Sequence, residues 1–257
     1  MPNSTLDLRV LYCTHTSIPS AQVNTRQSKL LAAIIDQFIE TGMPVGSKKL
    51  LQAAGMDVSS ATIRAEMGAL EDQGFLAQPH VSAGRIPTAI GYRVYVKEYM
   101  EPTREEKAVR RKFDTLKNHY LKRKDQERVY ESVALLAQMT PNVAFATVPH
   151  RDRVFYMGLA NVLKQPEFQQ NALLASSVVE VLESRLTELL SEVDVDKKVR
   201  YYIGEDHILE QLQSCALLVT SYDLRGEKGA LGILGPMRMD YAYNTVALEM
   251  AADLLRA

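Results

Sequence analysis

The chain has 257 residues, room for two modest domains, and its 46% hydrophobic and 24% charged content is that of a globular protein rather than a disordered or fibrous one. Thirty Lys and Arg against 31 Asp and Glu leave a net charge of -1, which excludes a chain-wide basic coat and requires any nucleic-acid contact to be local. No apolar run approaches the roughly 18 residues that span a bilayer, and no secretory leader pattern opens the chain; with only Cys13 and Cys215 there is no disulfide framework, so a cytoplasmic protein with reduced thiols is expected.

Residues 1–23 show no sustained period and read as a poorly ordered extension. From Thr25 the apolar residues Leu30, Leu31, Ile34, Ile35, Phe38 and Ile39 recur at helical spacing, with Thr25 as N-cap and Gly42 as the stop. Ser47 caps a short helix that Gly55 ends. Ser59 or Ser60 caps a third, whose buried face is Ile63, Met67 and Leu70 and which Gly74 closes. FLAQ then reads as a strand, HVSAGRIP as a hairpin tip, and Thr88 as the cap of a helix carrying Tyr92, Tyr95, Val96 and Tyr99. Three helices and a hairpin over residues 24–101 describe a winged helix-turn-helix. Residues 102–140 form a charged linker helix in which Val109, Phe113, Leu116 and Tyr120 hold a 4-3-4 spacing, KRKDQER interrupts, and Val133, Leu136 and Met139 resume. Beyond Pro141, VAFATV, VFYMG, KVRYYIG, ALLVTSY and ALGIL read as strands, with helices near Ala172–Glu192 and Asp240–Arg256 and a hairpin turn at RGEKG. The fold class is α+β, and residues 141–257 make its second domain.

With Ile63, Met67 and Leu70 inward, the third helix turns Ala61, Ala65 and Gly68 outward, flanked by Arg64 and Thr62. Small side chains admit a helix to base edges, where alanine touches a thymine methyl and arginine forks onto guanine. Asp72 at the far end would be repelled by phosphate, so the first half of the helix enters the groove. Ser59 and Ser60, at the positive end of the helix dipole, are natural phosphate contacts, with Lys48 close by. Their plainer role is capping, with Arg64 solvated. From Phe75 to Lys97 there are three fixed cations, Arg85, Arg93 and Lys97, and no carboxylate. This tract is expected to be a positive patch, with His80, Ser82 and Arg85 at the hairpin tip against DNA and Arg93 on phosphate, unless Arg93 and Lys97 form an ordinary exposed face. The five histidines are scattered, and no catalytic or metal-binding motif is present, so neither an enzyme nor a metal or cofactor is expected.

The runs TGMPVGSKKL, VSSATIRAEM and QPHVSAGRIPTAIGYRVYV resemble the DNA-binding domain of heat-inducible transcription repressors of the HrcA type. GLANVLKQPEF, YIGED and LGILGPMRMDY are similar to that family's C-terminal blocks, in the same order. The resemblance implies a GAF-like second domain after the winged helix and repression of heat-shock and chaperone operons by a homodimer on an inverted-repeat operator. It also implies the chaperonin GroEL as a partner that brings the repressor to its active form. Departures from the family pattern are Ala65 for Asn, Val81 for Thr or Ser, and Ala89 and Ile90 for polar residues. The family's long inserted dimerisation segment is missing between TPNVAFATVPHRDR and VFYMGLANVL, so the Val109, Phe113, Leu116, Tyr120 face is expected to supply the two-fold contact. In the second domain, Gly235 and Pro236 suit a turn, Asp240 a helix cap and Arg238 a pairing within the domain. Asn161, Glu167 and Phe168 suit a turn and helix start, with a ligand or partner surface as the alternative for both groups. Rival functions are a small-molecule-sensing winged-helix regulator and a winged-helix protein-interaction adaptor.

Overall fold

A computed structural model describes residues 23–53, 59–120, 125–148, 153–206, 209–224 and 226–256. The extension at 1–22, Cys13, Gly55, His150 and His207 fall outside them. Two compact units are present: one runs up to Met100 and takes in Met237–Asp240, and the other comprises Glu101–Pro236 and the chain from Tyr241.

The first unit opens with α1 (Thr25–Thr41), which buries Leu30, Leu31, Ile34 and Ile35. Its cap is Asn24, not Thr25. The Asn24 carboxamide accepts from the Arg26 and Gln27 amides at 3.0 and 2.9 Å, and Gln27 returns a bond to the Asn24 amide at 3.2 Å, a reciprocal capping box. Gly42, at φ 65°, ends the helix in the left-handed conformation that favours glycine. Next come α2 (Ser47–Ala53) and α3 (Ser60–Asp72), the latter capped by Ser59 and burying Ile63, Met67 and Leu70. The antiparallel strands β1 (Leu76–Ala77) and β2 (Ile86–Pro87) form a hairpin, followed by α4 (Ala89–Glu98), which Thr88 caps.

A 3-10 turn at Pro102–Arg104 opens the second unit, and the expected linker becomes two helices, α5 (Glu106–Tyr120) and α6 (Asp125–Met139). Next are β3 (Val143–Val148), β4 (Arg153–Met157), and the short helices α7 (Leu159–Leu163) and α8 (Pro166–Gln169). α9 (Ala172–Glu180) and α10 (Leu186–Glu192) are joined by a π-helical segment, Val181–Arg185. The remaining elements are β5 (Arg200–Ile203), β6 (Cys215–Leu224), β7 (Glu227–Pro236) and α11 (Tyr241–Arg256). The five strands form one antiparallel sheet in the order β4-β3-β7-β6-β5. One face of the sheet, with Val143, Phe145, Leu217 and Leu234, packs on Phe168, Val178, Leu182 and Leu189. The other, with Ala144, Leu218 and Ile233, is equally buried, beneath α6 and α11. Burial on both faces explains why these strands read as continuous apolar runs without alternation. The β6–β7 hairpin closes at Gly226 (φ 86°), whose amide donates to the Asp223 carboxylate at 2.8 Å.

Of the linker face expected to carry a two-fold contact, the first two residues are closed within the chain and Leu116 is partly buried. Val109 and Phe113 are 0% and 3% exposed, and α5 packs along α6 and α11 of its own chain. The Tyr120 side chain lies outside the described residues. The 4-3-4 spacing marks an apolar stripe, and a stripe cannot say whether its partner is in the same chain. Among the described residues no helix is long and apolar enough to cross a membrane.

Candidate nucleic-acid interface

The start of α3 is built by hydroxyls. The Ser59 side chain accepts the Thr62 amide at 3.1 Å and shares a 2.9 Å bond with the Thr62 hydroxyl, and the Ser60 hydroxyl lies 3.2 Å from that of Ser47 on α2. Ser59 is exposed, while Ser60 and Thr62 are half-buried. Beyond the cap, Ala61, Arg64 and Ala65 are exposed, and Gly68 opens onto empty space where a side chain would stand. The two glutamates of α3 are neutralised from outside the helix. Arg26 of α1 grips Glu66 through Nε at 2.9 Å, and Arg85 of the hairpin pairs with Glu71 at 2.8 Å. Arg64 therefore carries the charge of the outward face, and Asp72 is exposed at its far end.

On α2, Lys48 and Lys49 are both exposed, and neither forms an ion pair among the described residues. Lys49 escaped the sequence reading. The signal was present in Leu50, a buried residue of this seven-residue helix: at 100° per residue the two preceding positions turn away from it.

The hairpin is braced. Val45 and Arg85 exchange reciprocal backbone bonds, both 2.9 Å, so the segment before α2 lies along β2. Gly84 makes this approach possible, since a Cβ there would sit 2.4 Å from the Val45 carbonyl. At the tip, Gln78 donates from Nε2 to the Val81 and Ala83 carbonyls at 3.0 Å each, and the Ala83 amide donates to His80 at 2.8 Å. His80, Val81 and Ser82 are exposed, Val81 at 97%.

Two expected phosphate contacts are corrected. Arg93 is only 4% exposed: every α4 residue from Gly91 to Val96 is buried, so its charge is not presented to solvent. Arg85 is not a tip cation either, because its side chain is 16% exposed and its charge is engaged by Glu71. The third cation of the tract, Lys97, lies 3.7 Å from the Glu98 carboxylate. The acid-free tract therefore does not become a positive patch. Counting charges along a chain ignores both burial and partners that arrive from other elements.

In the sheet unit, Asn161 is engaged with the backbone, together with Gln165 and Lys112. The carboxamide of Asn161 donates to Ala137 O at 2.8 Å, that of Gln165 to Pro141 O at 2.6 Å, and the Lys112 ammonium to Met139 O at 2.6 Å. All three satisfy carbonyls at and just beyond the C-terminal end of α6, which a helix leaves without internal partners. Burial pushes the Lys112 ammonium below its ordinary pKa. A cavity of about 670 Å³ lies beside this cluster. Phe168 is core. Arg238 departs from expectation, since it groups with the N-terminal unit and donates to the Ile39 carbonyl at 2.9 Å. Cys215 is buried and its thiol is pushed up to about 12, which leaves no nucleophilic thiolate near neutral pH. Among the described residues no three His, Cys, Asp or Glu side chains gather as metal ligands.

Comparison with known proteins adds to this geometry. Residues 100–244 match the family described as HrcA protein C terminal domain. The chain is 28% identical to the heat-inducible transcription repressor HrcA of Desulforudis audaxviator (strain MP104C) across 88% of its own length and 95% of that protein. It is also 28% identical to the repressor of the same name from Thermomicrobium roseum, across 92% of its length and 95% of that protein. The Desulforudis alignment is 330 positions long, whereas 88% of this 257-residue chain is about 226 residues, so about 100 positions of that protein have no counterpart here. A crystal structure described as a hypothetical protein shares the fold at a TM-score of 0.74 and 18% identity, covering 91% of this chain and 96% of that one.

Proposed function

This chain belongs to the HrcA family of heat-inducible transcription repressors, and from that premise we propose that its N-terminal unit is a winged helix-turn-helix that reads an operator in front of heat-shock and chaperone genes. The observation that carries this reading is the outward face of α3. Arg64 stands exposed among Ala61, Ala65 and Gly68, with Lys48 and Lys49 exposed on the preceding helix and both α3 glutamates neutralised.

Such a face enters a major groove without side chains to hold it off. Arg64 offers two parallel donors to the O6 and N7 atoms of guanine, and the alanines offer methyl surface to thymine. Lys48, Lys49 and the α3 amides behind Ser59 and Ser60 hold the phosphate backbone and set the register. The braced tip at His80, Val81 and Ser82 lies against the neighbouring backbone or minor groove. The sheet unit is a GAF-like regulatory domain. An inverted-repeat operator takes two copies of the chain, polymerase is excluded while the operator is occupied, and the chaperonin GroEL sets the active fraction in the cytoplasm.

Genome-wide recovery of DNA bound by the protein tests the reading, with one inverted repeat upstream of chaperone genes expected. Recovery without a shared sequence would overturn it. Affinity for the recovered site should fall steeply with salt, because each phosphate contact releases counterions, whereas an adaptor that binds a protein chain would show no such slope.

A further inference from the structure

The tip of the β1–β2 hairpin is held firmly and ends in an apolar side chain. The Ala83 amide donates to the His80 carbonyl at 2.8 Å, which closes a four-residue turn with Val81 and Ser82 at its two corners. The Gln78 carboxamide nitrogen donates to the Val81 and Ala83 carbonyls at 3.0 Å each and braces the turn from within. From Gln78 to Gly84 the chain has no Lys, Arg, Asp or Glu. On this support Val81 is 97% exposed. Neither core packing nor turn chemistry accounts for a valine here. Its side chain is buried against nothing, turn corners favour Gly, Asn, Asp, Ser or Pro, and a β-branched residue favours strands. Single exposed apolar side chains are common on protein surfaces, but this one stands at the end of a hairpin tied to α3 through Arg85 and Glu71.

We propose that Val81 is an apolar probe of the DNA minor groove that imposes an A·T requirement on the operator beneath the hairpin tip. The proposal rests on the operator reading above and chooses between the two surfaces that reading leaves to the tip. A strong phosphate contact calls for a cation, and the tract presents none: Arg85 answers Glu71, Arg93 is buried and Lys97 lies beside Glu98. The minor groove has walls of deoxyribose carbon–hydrogen surface, which suit a branched apolar side chain. Its floor separates the base pairs into two kinds. All of them show N3 and O2 acceptors, and G·C alone adds the guanine amino group. A valine seated in the groove displaces water and offers that amino group no acceptor, so a buried donor is left unpaired and G·C is disfavoured. At A·T the valine meets no donor, and the Ser82 hydroxyl at the other corner has N3 and O2 to donate to.

The test uses the full chain and the operator recovered from the genome, with each A·T pair outside the α3 contact replaced singly by G·C and by inosine·C. Inosine keeps the major-groove edge of guanine and lacks its amino group. In fluorescence anisotropy, G·C at one or two positions per half-site should weaken wild-type binding about fivefold or more, and inosine·C at the same positions should restore it. Val81→Ser keeps a turn-forming residue, and since Val81 is 97% exposed its urea midpoint should match wild type. Its G·C penalty should shrink to about twofold or less with the salt slope unchanged, because no phosphate contact is removed. Val81→Ile keeps a branched apolar side chain and should retain the penalty. Equal losses with G·C and inosine·C would place the readout in the major groove, and a full G·C penalty in Val81→Ser would assign it to another residue; either result overturns the proposal, as does loss of the penalty in Val81→Ile. Failure of the operator reading is separable. A chain that selects no shared DNA sequence loses that reading and the role of Val81 together, whereas tight operator binding with no position restored by inosine removes the role of Val81 alone.

Discussion

Two stretches of the N-terminal unit carry comparable cations, Lys48, Lys49 and Arg64 on α2 and α3, and Arg85, Arg93 and Lys97 from the hairpin through α4. The first three are exposed without ion pairs among the described residues, although α3 also contains Glu66, Glu71 and Asp72. The second three are salt-bridged, buried or beside a carboxylate, although their tract contains no acid up to Lys97. Surface charge is decided by what folds against a segment. Glu71 comes from α3 to take Arg85, and Arg26 comes from α1 to release the α3 face from Glu66.

The comparison can be broken by substitution. Gly84→Val should have the largest effect, because a Cβ 2.4 Å from the Val45 carbonyl drives the hairpin off the segment before α2; a loss of about 3 kcal/mol in urea unfolding is expected. Arg64→Ala should cost about 1–3 kcal/mol on the operator and much less on random DNA, measured by fluorescence anisotropy. Equal losses on both would make Arg64 a phosphate contact. Replacing Lys48 and Lys49 together by alanine should weaken binding to all sequences alike and lower the logarithmic salt slope by about 2. Arg85→Ala should change the salt slope least, since its charge already answers Glu71. A slope reduction matching that of a lysine variant would return Arg85 to the interface.

Much of the fold was legible. Leu30, Leu31, Ile34 and Ile35, then Ile63, Met67 and Leu70, mark buried helix faces because helical period and burial are one constraint seen twice. The five apolar runs announce strands, and Ser59 and Thr88 announce caps through local hydrogen bonds three residues long. At the site, Arg64 and Ala65 could be placed outward from the same periodicity. Arg93 could not be placed inward, because the apolar residues of α4 leave little of its circumference to water and a charged side chain gives no sign of burial by itself.

What the sequence alone determined is therefore local or cumulative: the caps, the helix faces, the strand runs and the ordered blocks that mark the family. Tertiary structure alone decided which cations are neutralised, that Val109 and Phe113 face their own chain, and that Arg238 reaches Ile39. Each of these is set by a partner distant in sequence, and a pattern within one segment reports its own period without naming the surface that meets it.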